Sequence, residues 1–135
     1  MVRNIIIGAI CLIVAAGLIF GGKYLYDTMR YKRIISEIEI RTPDISLIQD
    51  GVYYGSFDAI LVAADVTVTV QDHRITEIAI NEHKNERGKK AEVITEEVLT
   101  EQTLAVDTVS GATNSSKVIL KAIEIALGTT MSEAE

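Results

Sequence analysis

Between positions 110 and 116 the chain places four hydroxyl side chains, Ser110, Thr113, Ser115 and Ser116, in the run Asp107-Thr108-Val109-Ser110-Gly111-Ala112-Thr113-Asn114-Ser115-Ser116. Gly111 admits a positive φ. From Ser115 to Leu127 the residues Val118, Ile119, Ala122, Ile123, Ala126 and Leu127 recur at helical spacing. The hydroxyls therefore mark a helix N-terminus, where unpaired N–H groups and a partial positive charge welcome an anion such as a phosphate. A plain capped helix start also explains Ser, Thr and Asn there. One hydroxyl suffices for a cap, however, and four are present. Other chemistry is sparse. No G-x-S-x-G elbow, P-loop or dinucleotide-binding glycine signature occurs. His73 and His83 lack the thiolates and helical spacing of a metal site, so no metal and no catalytic side chain is expected. Cys11 is the only cysteine, inside an apolar run, where it is a small apolar residue.

The elements that must position this run read as α+β. Asp50-Gly51 opens the domain, and Val52 to Phe57 is rich in aromatic and β-branched residues. Ala64 to Gln71 alternates Val66, Val68 and Val70 with Thr67 and Thr69, a strand with one buried face. Asp72-His73-Arg74 makes a turn into a third strand through Ile75, Ile78 and Ile80, ending near Asn81. An antiparallel meander of this size needs a helical layer, offered by Lys90 to Gln102 and by Ser115 to Leu127. Residues 128 to 135 read as a frayed tail.

The charge is divided unevenly. Residues 1 to 33 hold five bases and one acid, the remainder eight bases and eighteen acids, for a net −6. So acidic a body offers no cationic face for phosphates in series, which argues against a nucleic-acid binder. Lys84, Arg87, Lys89 and Lys90 form a basic cluster that reads as a solvated face. Ile5 to Gly22 is free of charge and close to the roughly 20 residues a spanning helix needs, with Tyr24, Tyr26 and Tyr31 placed as an interfacial belt. Residues 1–23 are thus expected to form a transmembrane anchor and 24–49 a helical stalk and linker that Thr42-Pro43 stops. A domain follows over 50–128 and a flexible tail over 129–135. Lys23, Arg30, Lys32 and Arg33 follow the span, so charge counting alone puts the body in the cytoplasm.

Asp107-x-x-Ser110-Gly111-Ala112-Thr113, before an amphipathic helix and after a meander opening Asp50-Gly51-Val52-Tyr53, resembles the FMN-binding domain found in flavin subunits of Rnf and sodium-pumping NADH:quinone reductase complexes and in short membrane-anchored redox proteins. The resemblance covers about residues 50 to 128. It implies that a flavin transferase takes FMN from FAD and joins its phosphate to the hydroxyl of Thr113. Asp107, Ser110, Gly111 and Ala112 then become transferase-recognition and phosphate-neighbour positions, and the N–H groups of Asn114, Ser115 and Ser116 hold the phosphodiester without a basic side chain. Asp107 would orient the threonine or a transferase-bound metal. For the ring, Tyr54 is the favoured contact beside its plainer role as a core aromatic, and His83 is a contact at the flavin edge or simply a strand end. Asn85-Glu86-Arg87-Gly88 replaces the loop usual in the large complexes, which favours a compact electron carrier served by redox partner proteins. Because the family's domains are extracytoplasmic, the resemblance places the body outside a cell membrane, against the charge count. The alternative is a membrane-tethered binding or scaffold module without flavin.

Overall fold

Helix α1 (Val2–Glu37) runs unbroken for 36 residues in the computed structural model, which describes residues 1–85 and 87–132, with side chains to 128. Glu86 and residues 133–135 lie outside the described residues. At about 1.5 Å per residue α1 is some 54 Å long. Residues 5 to 22 are exposed on every side, and the helix is long and apolar enough to cross a membrane. Expected anchor and stalk are one continuous helix. It ends at Glu37, short of Thr42-Pro43, where Ile38 turns extended so that Ile38 and Ile40 can pack on the domain. The stalk segment lies against the domain: Ile35 is buried, Lys121 Nζ donates to the Glu39 carbonyl at 3.1 Å, and the Arg41 N–H donates to Glu124 Oε2 at 3.1 Å.

Strands β1 (Gly51–Asp58), β2 (Ala63–Gln71) and β3 (Arg74–Lys84) form the expected antiparallel meander in the order β1-β2-β3. In β2 the residues Ala64, Val66, Val68 and Val70 are buried while Thr67 and Thr69 face outward. The two-residue turn Asp72-His73 has φ of 52° and 58°, a left-handed pair whose twist suits a hairpin. Strand β3 is longer than its sequence pattern suggests because two bulges correct its phase. Register shifts leave Thr76 and Asn81 unpaired, so Ile75, Ile78, Ile80 and His83 sit opposite Val70, Val68, Val66 and Ala64 on the core face.

Helix α3 (Thr113–Ser132) covers β1 and β2 and runs past Leu127, so the expected tail is helical to residue 132. It lies so close to β1 that a Cβ on Gly55 would overlap the Ala122 carbonyl. The expected helix over 90–102 is a short 3-10 helix, Lys89–Val93, followed by α2 (Ile94–Glu101). Gln102 ends α2 with φ 54°, and its side chain accepts from the Ile75 N–H and donates to the Ile75 carbonyl, both at 2.8 Å. This bond pair ties the second helical layer to the edge strand.

Candidate functional site

The first turn of α3 is open. Ala112 occupies the cap position, and its carbonyl accepts the first helical bond from the Ser116 N–H at 2.9 Å. An alanine has no side-chain acceptor to offer. Ser116, fully buried, turns its hydroxyl inward instead, donating to the Ala112 carbonyl and accepting from the Val109 N–H at 3.0 Å. Ser115 is buried as well. Among the described residues no side chain accepts from the N–H groups of Thr113, Asn114 or Ser115, and Thr113 Oγ1 makes no hydrogen bond. The hydroxyl cluster is therefore not a redundant cap. Ser116 braces the turn from inside, Ser115 is buried against Gly88, and Thr113 is presented bare.

Two glycines shape the approach. Gly111 has φ 74°, a conformation that would strain a side chain there. Gly88, after β3, is buried on the same turn: a Cβ there would overlap Ser115 Oγ and stand 2.6 Å from Ser115 Cβ. The result is a cleft of about 590 Å³ over the helix N-terminus. Gly111, Ala112, Thr113, Asn114 and Ser115 form its floor, and Leu61, Val62, Arg87, Gly88 and Tyr31 its walls.

Leu61 and Val62 belong to the β1–β2 turn, where Ile60 has φ 77°, an outlier for a β-branched residue. Asp58 holds it by accepting from the Ile60 N–H at 2.6 Å, and Lys84 Nζ donates to the Ile60 carbonyl at 2.6 Å. Tyr31 comes from α1. Its hydroxyl accepts from Asn114 Nδ2 at 2.9 Å, which ties the end of α1 to the first turn of α3.

The expected site residues divide. Gly111, Ala112, Thr113, Asn114 and Ser115 are brought together, whereas Asp107 and Ser110 are exposed on the loop before them and do not line the cleft. Tyr54 is not brought to it. Its place on β1 points it to the open face of the sheet, opposite α3, with 72% exposure. His83 does not line the cleft; it stands near the end of β3, as the plainer reading had it, but its side chain is buried. The β3 bulges turn it inward, its side chain is 2% exposed, and Nδ1 bonds Glu92 Oε1 at 3.0 Å. Its Nε2 is buried without a partner among the described residues.

The basic cluster also divides: Lys84 braces the turn at Ile60, Arg87 lines the cleft, and Lys90 Nζ stands 2.6 Å from where a Cβ on Gly111 would be. Basic side chains thus stand beside the open helix turn, where the sequence reading relied on backbone alone. Tyr31, Leu61, Val62 and Arg87 escape a reading by motif. The nearest signal for Arg87 was its position before Gly88.

Residues 63–128 match the family model described as the FMN-binding domain. Over this stretch the chain is similar to that family. No curated protein and no solved structure matches it. The matched segment starts at β2 and ends in α3, so it spans both the loop bearing Arg87 and Gly88 and the open helix turn.

The residues present suit FMN. A helix N-terminus with unclaimed N–H groups, two nearby cations and a close-approach glycine fit its phosphate. An aromatic side chain and two aliphatic ones fit a ring system, and the cleft has the volume of ordinary cofactor sites.

Proposed function

We propose that this protein is a membrane-anchored electron carrier whose FMN is attached through its phosphate to Thr113 Oγ1, passing electrons between a membrane donor and another carrier or reductase. The observation that carries the reading is the uncapped first turn of α3, with Thr113 the exposed hydroxyl on the cleft floor. A cap would have consumed those N–H groups. Left open beside Gly111, they hold the one remaining negative charge of a phosphodiester, assisted by the helix dipole and by Arg87 and Lys90. FMN supplies the redox chemistry when bound. The chain supplies attachment at Thr113, a phosphate cradle, apolar cover from Leu61 and Val62, and a tether.

The tether gives the covalent bond its purpose. A cofactor held by affinity alone leaves its site when no pool replaces it, whereas attachment keeps its local concentration fixed. We place the domain outside the cell membrane, where the family's flavin transferase acts. The bases following the span favour the opposite side. Protease treatment of sealed vesicles distinguishes the two: an extracytoplasmic domain is cut in right-side-out vesicles before lysis, an internal one only after it.

The attachment is tested by mass spectrometry of the intact chain, purified from a host that contains the transferase. The expected result is one added FMN ester mass that maps to the peptide containing Thr113. An unmodified Thr113 in a chain without visible flavin absorbance would leave a tethered binding or scaffold module in its place.

A further inference from the structure

Tyr31 is the one aromatic residue among those that line the cleft, and it comes from the helix that carries the apolar span. The domain's own aromatics are engaged or placed elsewhere. Tyr53 donates its hydroxyl to the Gln49 carbonyl at 2.6 Å, Tyr54 lies on the open sheet face, and Phe57 lines a separate groove beside Ile34 and Ile38. Tyr24 and Tyr26 remain exposed on α1, as lipid-interface residues would be. Tyr31 departs from that belt: it is half-buried, packed on the domain core, and its hydroxyl is claimed by Asn114, the residue after Thr113. The helix bearing it is fixed to the domain by Ile35, by the Lys121 bond to Glu39 and by the Glu124 bond to Arg41. Its position against the cleft is therefore built into the fold and not left to a flexible stalk.

We propose that the anchor helix itself forms one wall of the flavin site, with Tyr31 as the aromatic contact of the isoalloxazine. The proposal rests on the reading of the cleft as an FMN site and deepens it. Two consequences follow from one helix serving as both span and wall. The site is complete only when the end of α1 is docked on α3. The cofactor is also held at a set height, since Tyr31 lies nine residues beyond Gly22, or about 14 Å along a helix axis. A membrane-embedded redox partner then meets the flavin at a fixed distance from the lipid, with no swing of the domain required.

The test uses the full chain, purified in detergent after coexpression with the transferase. Tyrosine or tryptophan in contact with a flavin quenches its fluorescence by donating an electron to the excited ring, and phenylalanine does not. Tyr31→Phe keeps the packing and is the diagnostic variant. It is expected to carry the same flavin mass on the Thr113 peptide as the wild type and to emit several-fold more strongly. Tyr31→Trp should return the emission to a low value, and Tyr54→Phe should leave it unchanged. Iodide, a collisional quencher, should reach the flavin more readily in Tyr31→Leu. A fully loaded Tyr31→Phe chain with wild-type emission overturns the proposal. Absence of the flavin mass from the wild-type peptide overturns the FMN reading beneath it.

Discussion

Gly88→Ala tests whether the loop after β3 is docked on the first turn of α3, on which the shape of the proposed flavin cleft depends. A Cβ at this position would overlap Ser115 Oγ and stand 2.6 Å from Ser115 Cβ, with Asn85 Cβ at 3.6 Å. Ser115 is 4% exposed and is held in the first turn of α3, so the overlap cannot be relieved by swinging a free side chain into solvent. Overpacking of this kind costs about 1–3 kcal/mol. The partner change identifies the cause. Ser115→Ala removes the overlapping oxygen but leaves a carbon at 2.6 Å, so Gly88→Ala should cost less in that background without becoming neutral. Ser115→Gly removes both contacts at a helix-propensity cost of about 1 kcal/mol, and there Gly88→Ala should be nearly free. Coupling between contacting positions is typically about 0.5–3 kcal/mol.

The assay is urea unfolding of the detergent-solubilised full chain, comparing midpoints at constant slope. Flavin loading, measured as absorbance per chain, should fall in Gly88→Ala and recover with Ser115→Gly. A Gly88→Ala chain within about 0.5 kcal/mol of the wild type, the range of an ordinary surface change, would refute the docking. So would strict additivity with the Ser115 variants.

The remaining expectations are more direct. Thr113→Ala should abolish the flavin that survives denaturing gel electrophoresis while leaving the unfolding midpoint nearly unchanged, because Thr113 is exposed and its hydroxyl is unbonded; a yellow band in that variant would sink the attachment. Ile60→Gly should raise stability by about 1 kcal/mol by relieving a β-branched residue at φ 77°, read from the same urea midpoint. Arg87→Gln and Lys90→Gln should each lower the flavin midpoint potential by on the order of 10–20 mV, since an exposed charge contributes at most about 1 kcal/mol. Potentiometric titration checks this, and the shift should shrink at high salt.

The meander was legible in β2 because one face is apolar and the other hydroxylated, and such alternation can be satisfied only by a half-buried strand. Strand β3 was less so. Its inward-facing residues Ile75, Ile78, Ile80 and His83 are spaced three, two and three apart, a pattern that makes sense only with bulges at Thr76 and Asn81. His83 ends the strand as read, but strict alternation does not reveal that a second bulge turns it inward. The helix over 90–102 divides because Gly88 is pinned on Ser115 and the chain must tighten into a 3-10 turn before α2 begins.

By itself the sequence determined the apolar span and the hydroxyl-rich start of an amphipathic helix, with Thr113, the proposed attachment residue, in its first turn. These are local properties, written in spacing and residue type within a few turns of chain. Tertiary structure alone decided what surrounds Thr113. Tyr31 and Asn114 are 83 positions apart, and only the docking of α1 on α3 brings the tyrosine to the cleft. Arg87 and Lys90 are exposed, as a solvated cluster is, but only the packing of Gly88 on Ser115 brings their loop beside the helix start. Tyr54 had the right residue type and the wrong side of the sheet. Such placements depend on contacts between distant segments, whose geometry is set by burial of the whole core and carries no signature in the residues nearby.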